Sequence, residues 1–365
     1  MNLGAVALLL GLGAGCAAVA LAARRAPEPA GPQVSATDAS SLSLPVGEAL
    51  PRLDGASAWL NVTPAAAPDL RGKVVLVNFW TYSCINSLRQ IPYVRAWYEK
   101  YRDHGLVVVG VHAPEFGFEH DLDNVRQAVR QSGVDYPVAM DNHHRIWDAL
   151  DNQYWPALYF VDARGHVRHL KVGEGDYATS ERILQQLLRE AGASGFDQAL
   201  VAVDGQGAEA PADWGDQRSP ESYLGYARSE RLASPGGVRK DRMHDYAAPP
   251  RLALNQWALA GTWSVGPQAI VASSAGARIV YRFHARDLHL VLAPAAGNTP
   301  VRFRVTLNGG PPGAAHGADL DAQGNGVLTE ARMYQLIRQP QPIVDRQFEI
   351  EFIDPGAQAF AFTFG

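Results

Sequence analysis

The sequence predicts two folded parts in one chain: an α/β unit followed by an all-β sandwich of jelly-roll type. Three observations carry this. Two continuous, β-branched apolar runs, 73–80 and 105–111, alternate with segments of helical period, as in a sheet covered on both faces. From Leu252 onward, short strand-like stretches recur at a spacing of roughly 8–12 residues with no long helix between them. The 365 residues are 47% apolar and 19% charged, which allows about two domains and excludes wholesale disorder.

Residues 1–23 read as a signal peptide or membrane anchor. Asn2 to Ala23 carry no charge, and as a helix they would span about 33 Å, enough for a bilayer. Cys16 lies in this run and reads as a small residue in an apolar helix. Residues 24–45, rich in Ala, Pro and Ser, read as a linker. The location implied is the periplasm, or the extracytoplasmic face of an inner membrane.

Residues 46–192 form the α/β unit. The first buried strand ends in Asn78-Phe79-Trp80. Leu88, Ile91, Val94 and Trp97 then follow at helical spacing, through Pro92. Further strands are expected at 105–111, 136–140, 155–162 and 166–172, and helices at 121–132 and 181–191. Residues 193–250 read as a connector in which Ser219–Tyr226 docks onto one domain. Residues 251–365 form the sandwich, with clean alternation in Val301-Arg302-Phe303-Arg304-Val305.

Thirty-two basic against 37 acidic residues give a net charge of −5, so a large nucleic-acid surface is not expected. Two cysteines exclude a disulfide-rich scaffold and a four-cysteine zinc site. No cofactor or metal is expected. His112 reads as a loop or core histidine, and Asn142-His143-His144 as a helix start. Asp319 to Gly326 reads as a turn, because Arg332 stands where a calcium loop needs Glu.

Cys84 falls where a buried strand ends and a helix begins. Backbone N–H groups converge at such a point and the helix dipole favours negative charge, so a nucleophilic thiolate is expected there.

Trp80-Thr81-Tyr82-Ser83-Cys84-Ile85-Asn86-Ser87 resembles the WxxxCxxC site of the thioredoxin superfamily. It is most similar to the TlpA/ResA-like extracytoplasmic thioredoxins and the C-terminal half of DipZ-type proteins. Arg89–Val94, Val111–Phe116 and Gly173–Tyr177 extend the resemblance. It implies a cis proline at Trp155-Pro156 beside the cysteine and a carboxylate near the site at Glu115. It also implies substrate contacts by Trp80 and Trp155, and a carbohydrate-binding-module-like sandwich. Trp257, Trp263, Tyr281 and Tyr334 are the aromatic candidates for glycan contact, each also readable as core.

The departure from the family lies at Ser87, where the second cysteine is expected. Without it, a mixed disulfide at Cys84 cannot be resolved within the chain. The expected chemistry is therefore thiol-disulfide exchange or isomerisation through one thiol, with Ser87 donating a hydrogen bond to the Cys84 thiolate. Partners would be protein or small-molecule disulfides and an external thiol reductant. The alternatives are a redox-inactive binding module and a one-Cys peroxidase, since Thr81-Tyr82-Ser83-Cys84 fits part of a peroxiredoxin site.

Overall fold

The computed structural model describes residues 42, 44–62, 67–294 and 299–365. The expected signal or anchor at 1–23, Cys16 and most of the linker lie outside the described residues. Among the described residues no helix is long and apolar enough to cross a membrane.

The N-terminal half of the described chain is a mixed six-stranded sheet. Its elements, in chain order, are β1 (Ala58–Leu60), β2 (Val74–Trp80), α1 (Ile85–Tyr101), β3 (Leu106–His112) and α2 (Leu122–Gln131). They continue with β4 (Val138–Met140), α3 (Arg145–Ala149), β5 (Ala157–Val161), β6 (Val167–Val172) and α4 (Tyr177–Glu190). The strand order is β1-β4-β3-β2-β5-β6, with β2, β3 and β4 parallel and the rest antiparallel.

Strand period explains why β2 is buried throughout and apolar everywhere but Asn78. Val74, Leu76 and Trp80 point into the core on the α1 and α4 face, while Val75, Val77 and Phe79 point into the opposite core, under α3. On α1, Ile91, Val94 and Trp97 meet the first of these cores. Each such side chain contributes about 1.5–3 kcal/mol by leaving water. The helix starts at Ile85, one residue after Cys84, which is its N-cap.

The C-terminal half is an 11-stranded antiparallel sheet. It comprises β7 (Ser222–Tyr223), β8 (Met243–Tyr246), β9 (Trp257–Val265), β10 (Ile270–Ala272), β11 (Ala277–Phe283) and β12 (Asp287–Ala293). It is completed by β13 (Val301–Leu307), β14 (Asn325–Leu328), β15 (Arg332–Arg338), β16 (Arg346–Phe352) and β17 (Gln358–Phe364). The sheet curls so that its two halves face each other, which is how the expected sandwich is built. Tyr281 of one half meets Phe362 of the other, with 4.8 Å between ring centroids.

β9 crosses between the halves. Its first part pairs with β11 and its second with β8 and β10. The change falls at Gly261, whose φ of +82° is left-handed and whose missing Cβ would sit 3.2 Å from Ala277. The segment read as a connector thus supplies two strands, β7 on β17 and β8 on β9.

Strand β12 is buried along its whole length, and the packing shows why. Leu288, Leu290 and Leu292 enter the sandwich core, while Val291 and Ala293 face the α/β half. There, together with Phe360 and Ala361 of β17, they cover Ile85 at the start of α1 and Phe116 after β3.

Candidate active site

The end of β2 and the start of α1 bring Cys84 to the boundary of the two halves. It is a free thiol and half-buried. It lines a cavity of about 290 Å³ together with Trp155, Glu115, Tyr223, Glu221 and Phe364. The first two come from the α/β half and the last three from the C-terminal half. The C-terminal half therefore forms one wall of the cysteine's pocket.

This wall changes the chemistry of the thiol. Burial pushes it up to about 12, and the carboxylates of Glu115 and Glu221 push in the same direction. The Ser87 backbone N–H and hydroxyl oppose them by favouring the thiolate, but do not outweigh them. The expectation of a lowered thiol, drawn from the helix N-terminus, is thus overturned. Desolvation by residues distant in sequence is the larger effect.

Ser87 is fully buried, and its Oγ accepts a 3.4 Å hydrogen bond from the Thr81 N–H. The Trp155–Pro156 bond is cis. Pro156 is buried, and the Trp155 indole donates to the Ala113 carbonyl at 3.0 Å while packing 4.3 Å from Trp147. Trp80 departs from its expected role. It is completely buried in the sheet core, edge-on to His112, so it supports the site from beneath and cannot touch a substrate. The exposed aromatics at the cavity are Tyr154 and Trp214. Trp214 stands in a Gly-, Pro- and Asp-rich stretch with no period to mark it.

Glu115 is tied into the wall. The Tyr223 hydroxyl lies 2.6 Å from its Oε1, and Arg228 donates to the same oxygen at 2.8 Å. The Arg228 guanidinium lies 3.3 Å above the centre of the Tyr223 ring. Glu221 Oε2 lies 2.9 Å from the same Tyr223 hydroxyl.

Sequence reading missed Glu119. It is fully buried and accepts four hydrogen bonds, from Thr81 Oγ1, Ser83 Oγ, Glu115 N and Phe116 N, at 2.5 to 2.9 Å. It thereby joins the loop before Cys84 to the loop that carries Glu115. The only signal was its place three residues after Phe116, just before a helix. Arg89 and Glu174, from two of the segments that resemble the family, meet as a buried ion pair at 3.0 Å.

His112 is a core residue, stacked on Tyr82 with 5.5 Å between centroids. The expected glycan platforms are closed off: Trp257, Trp263, Tyr281 and Tyr334 all lie in the sandwich core. The carboxylate of Asp321 accepts from Asn325 N at 2.8 Å, closing a turn.

Comparison with known proteins agrees with this geometry. Residues 46–170 match the AhpC/TSA family model, and 219–365 match the model described as thioredoxin like C-terminal domain. The chain is 30% identical over 141 residues to the thiol-disulfide oxidoreductase YkuV of Bacillus subtilis, covering 39% of this chain and 95% of that protein.

The chain belongs to the thioredoxin superfamily.

Within it, the chain is similar to DipZ-type proteins over part of their length. It is 39% identical to protein DipZ of Mycobacterium bovis over 258 residues, 69% of this chain. It spans only 36% of DipZ's length. A solved thioredoxin-like protein in its oxidised form shares 29% identity over 40% of this chain and 97% of its own, with a TM-score of 0.36. The chain is thus similar to proteins described as thiol-disulfide oxidoreductases.

Proposed function

We propose that this thioredoxin-like chain exchanges disulfides through a single thiol, outside the cytoplasm. One observation carries the reading: Cys84 opens into a cavity that also takes in Trp155, next to cis Pro156, and buried Ser87 holds the place of a second thiol. The Cys84 thiolate attacks a protein or small-molecule disulfide. Its own sulfur joins one half, and the other half leaves as a thiol. An external thiol then attacks the mixed disulfide and frees Cys84. Ser87 assists by hydrogen bonding to the thiolate. The uncharged run from Asn2 to Ala23 supports an extracytoplasmic location.

The test is direct. Incubation with oxidised glutathione should add one glutathione mass at Cys84, reversed by reduced glutathione and absent in Cys84→Ser. Ser87→Cys should in addition form an 84–87 disulfide and reduce insulin. No adduct on the parent protein at any pH up to about 9 would end the reading.

The raised thiol favours a second reading, a binding module whose redox activity is lost. It predicts that same absence of adduct. A one-Cys peroxidase has less support, because Arg228, the arginine lining the cavity, is tied to Glu115 rather than to Cys84.

A further inference from the structure

The Tyr223 hydroxyl has two carboxyl oxygens within hydrogen-bond distance, Glu115 Oε1 at 2.6 Å and Glu221 Oε2 at 2.9 Å. It has one hydrogen to donate. Its phenol is held protonated, because burial and the two acidic neighbours raise it well above its ordinary value. Both contacts are complete only when one carboxyl also carries a proton and donates it to the Tyr223 oxygen. Glu115 already accepts a second hydrogen bond, from Arg228 at 2.8 Å, whereas Glu221 forms no ion pair among the described residues. The proton therefore belongs on Glu221.

We infer that Glu221, supplied by the C-terminal half, is the proton donor to the leaving sulfur when Cys84 attacks a disulfide. This rests on the thiol-exchange reading above. Glu221 and Cys84 line the same cavity, and its volume of about 290 Å³ has room for bridging water. Glu221 is exposed, so it can be recharged from solvent. The protein around it and the Glu115 charge raise its carboxyl to about 7. The other ionisable groups lining this cavity are Glu115, Tyr154, Tyr223 and Arg228.

The step balances. The Cys84 thiol first loses its proton to cavity water. The thiolate forms a sulfur–sulfur bond with one half of the substrate as the substrate's own disulfide breaks. The departing thiolate takes the Glu221 proton and leaves as a thiol. Glu221 regains a proton from water. No net oxidation occurs, because one disulfide replaces another.

A general acid matters most for a poor leaving group. The probes are oxidised glutathione, which releases an alkyl thiolate, and 5,5′-dithiobis(2-nitrobenzoate), whose aryl thiolate leaves unaided. Rates of mixed-disulfide formation at Cys84 are compared in the parent and in Glu221→Gln at pH 6.5. In the variant the ratio of alkyl to aryl rate should fall by about ten-fold or more. A purely structural role would slow both reactions together. An unchanged ratio in a reactive protein overturns the assignment of Glu221 alone. A parent protein inert toward both probes overturns the exchange reading and this inference with it.

Discussion

Phe360 of β17 packs against Phe118 in the loop after β3, with 4.9 Å between ring centroids at 74°. The same ring lies 5.1 Å from Phe116. This contact holds the C-terminal sheet over the start of α1, and it makes Cys84 a residue of an interface rather than of an open sheet edge.

Phe360→Ala should cost about 3 kcal/mol, as for a buried aromatic whose cavity cannot close. It should also loosen the wall over the thiol. Urea unfolding checks the first and native-state alkylation of Cys84 the second. Alkylation no faster than in the parent would show that the wall does not depend on this contact.

Glu115→Gln removes a negative charge that pushes the Cys84 thiol up. The sign follows: losing a nearby negative charge favours the thiolate, so the thiol's midpoint moves down. At pH 8, below that midpoint in both proteins, more thiolate is present in the variant. Iodoacetamide should react about three- to ten-fold faster, as expected when the midpoint falls by roughly half to one on the pH scale. A slower reaction would contradict the charge argument.

Glu119→Ala leaves four donors in a buried loop without their acceptor. The expected loss is about 3 kcal/mol, since each orphaned buried donor carries a desolvation penalty. Glu119→Gln should lose less, because its amide oxygen still accepts. Denaturant midpoints of the two variants test this order.

His112 and His289 are both fully buried and both pushed down to about 3, chiefly by burial. In the unfolded chain each takes up a proton near pH 6.5, while in the folded protein each stays neutral. The unfolded state therefore binds more protons between about pH 6.5 and 3, and stability falls as pH falls through that window. From pH 7 to 5 the two together should cost about 4 kcal/mol. His112→Phe, which keeps the stacking on Tyr82, should remove about half of that slope in urea unfolding measured at both pH values.

Much of the fold was legible in the sequence because its signals are local. The run Val74–Trp80 is apolar on both faces apart from Asn78, as a strand buried on both sides requires. The alternation in Val301–Val305 likewise places Phe303 inward and its arginine neighbours outward. Cys84 at a strand-to-helix turn could be read from residue types and spacing, whereas Ser87 and the Trp155-Pro156 pair entered as site residues through the resemblance to the thioredoxin superfamily.

What only the tertiary structure decided is how that cysteine is surrounded. Glu221, Tyr223 and Phe364 line the thiol's cavity from segments distant in sequence, and no period or motif around Cys84 encodes their arrival. Trp80 could not be told from a surface tryptophan until the sheet closed over it. The reason is physical. Secondary structure follows from neighbours a few residues apart, whereas desolvation and charge at a thiol depend on whatever the fold packs against it, and here these outweigh the local pull of the helix end.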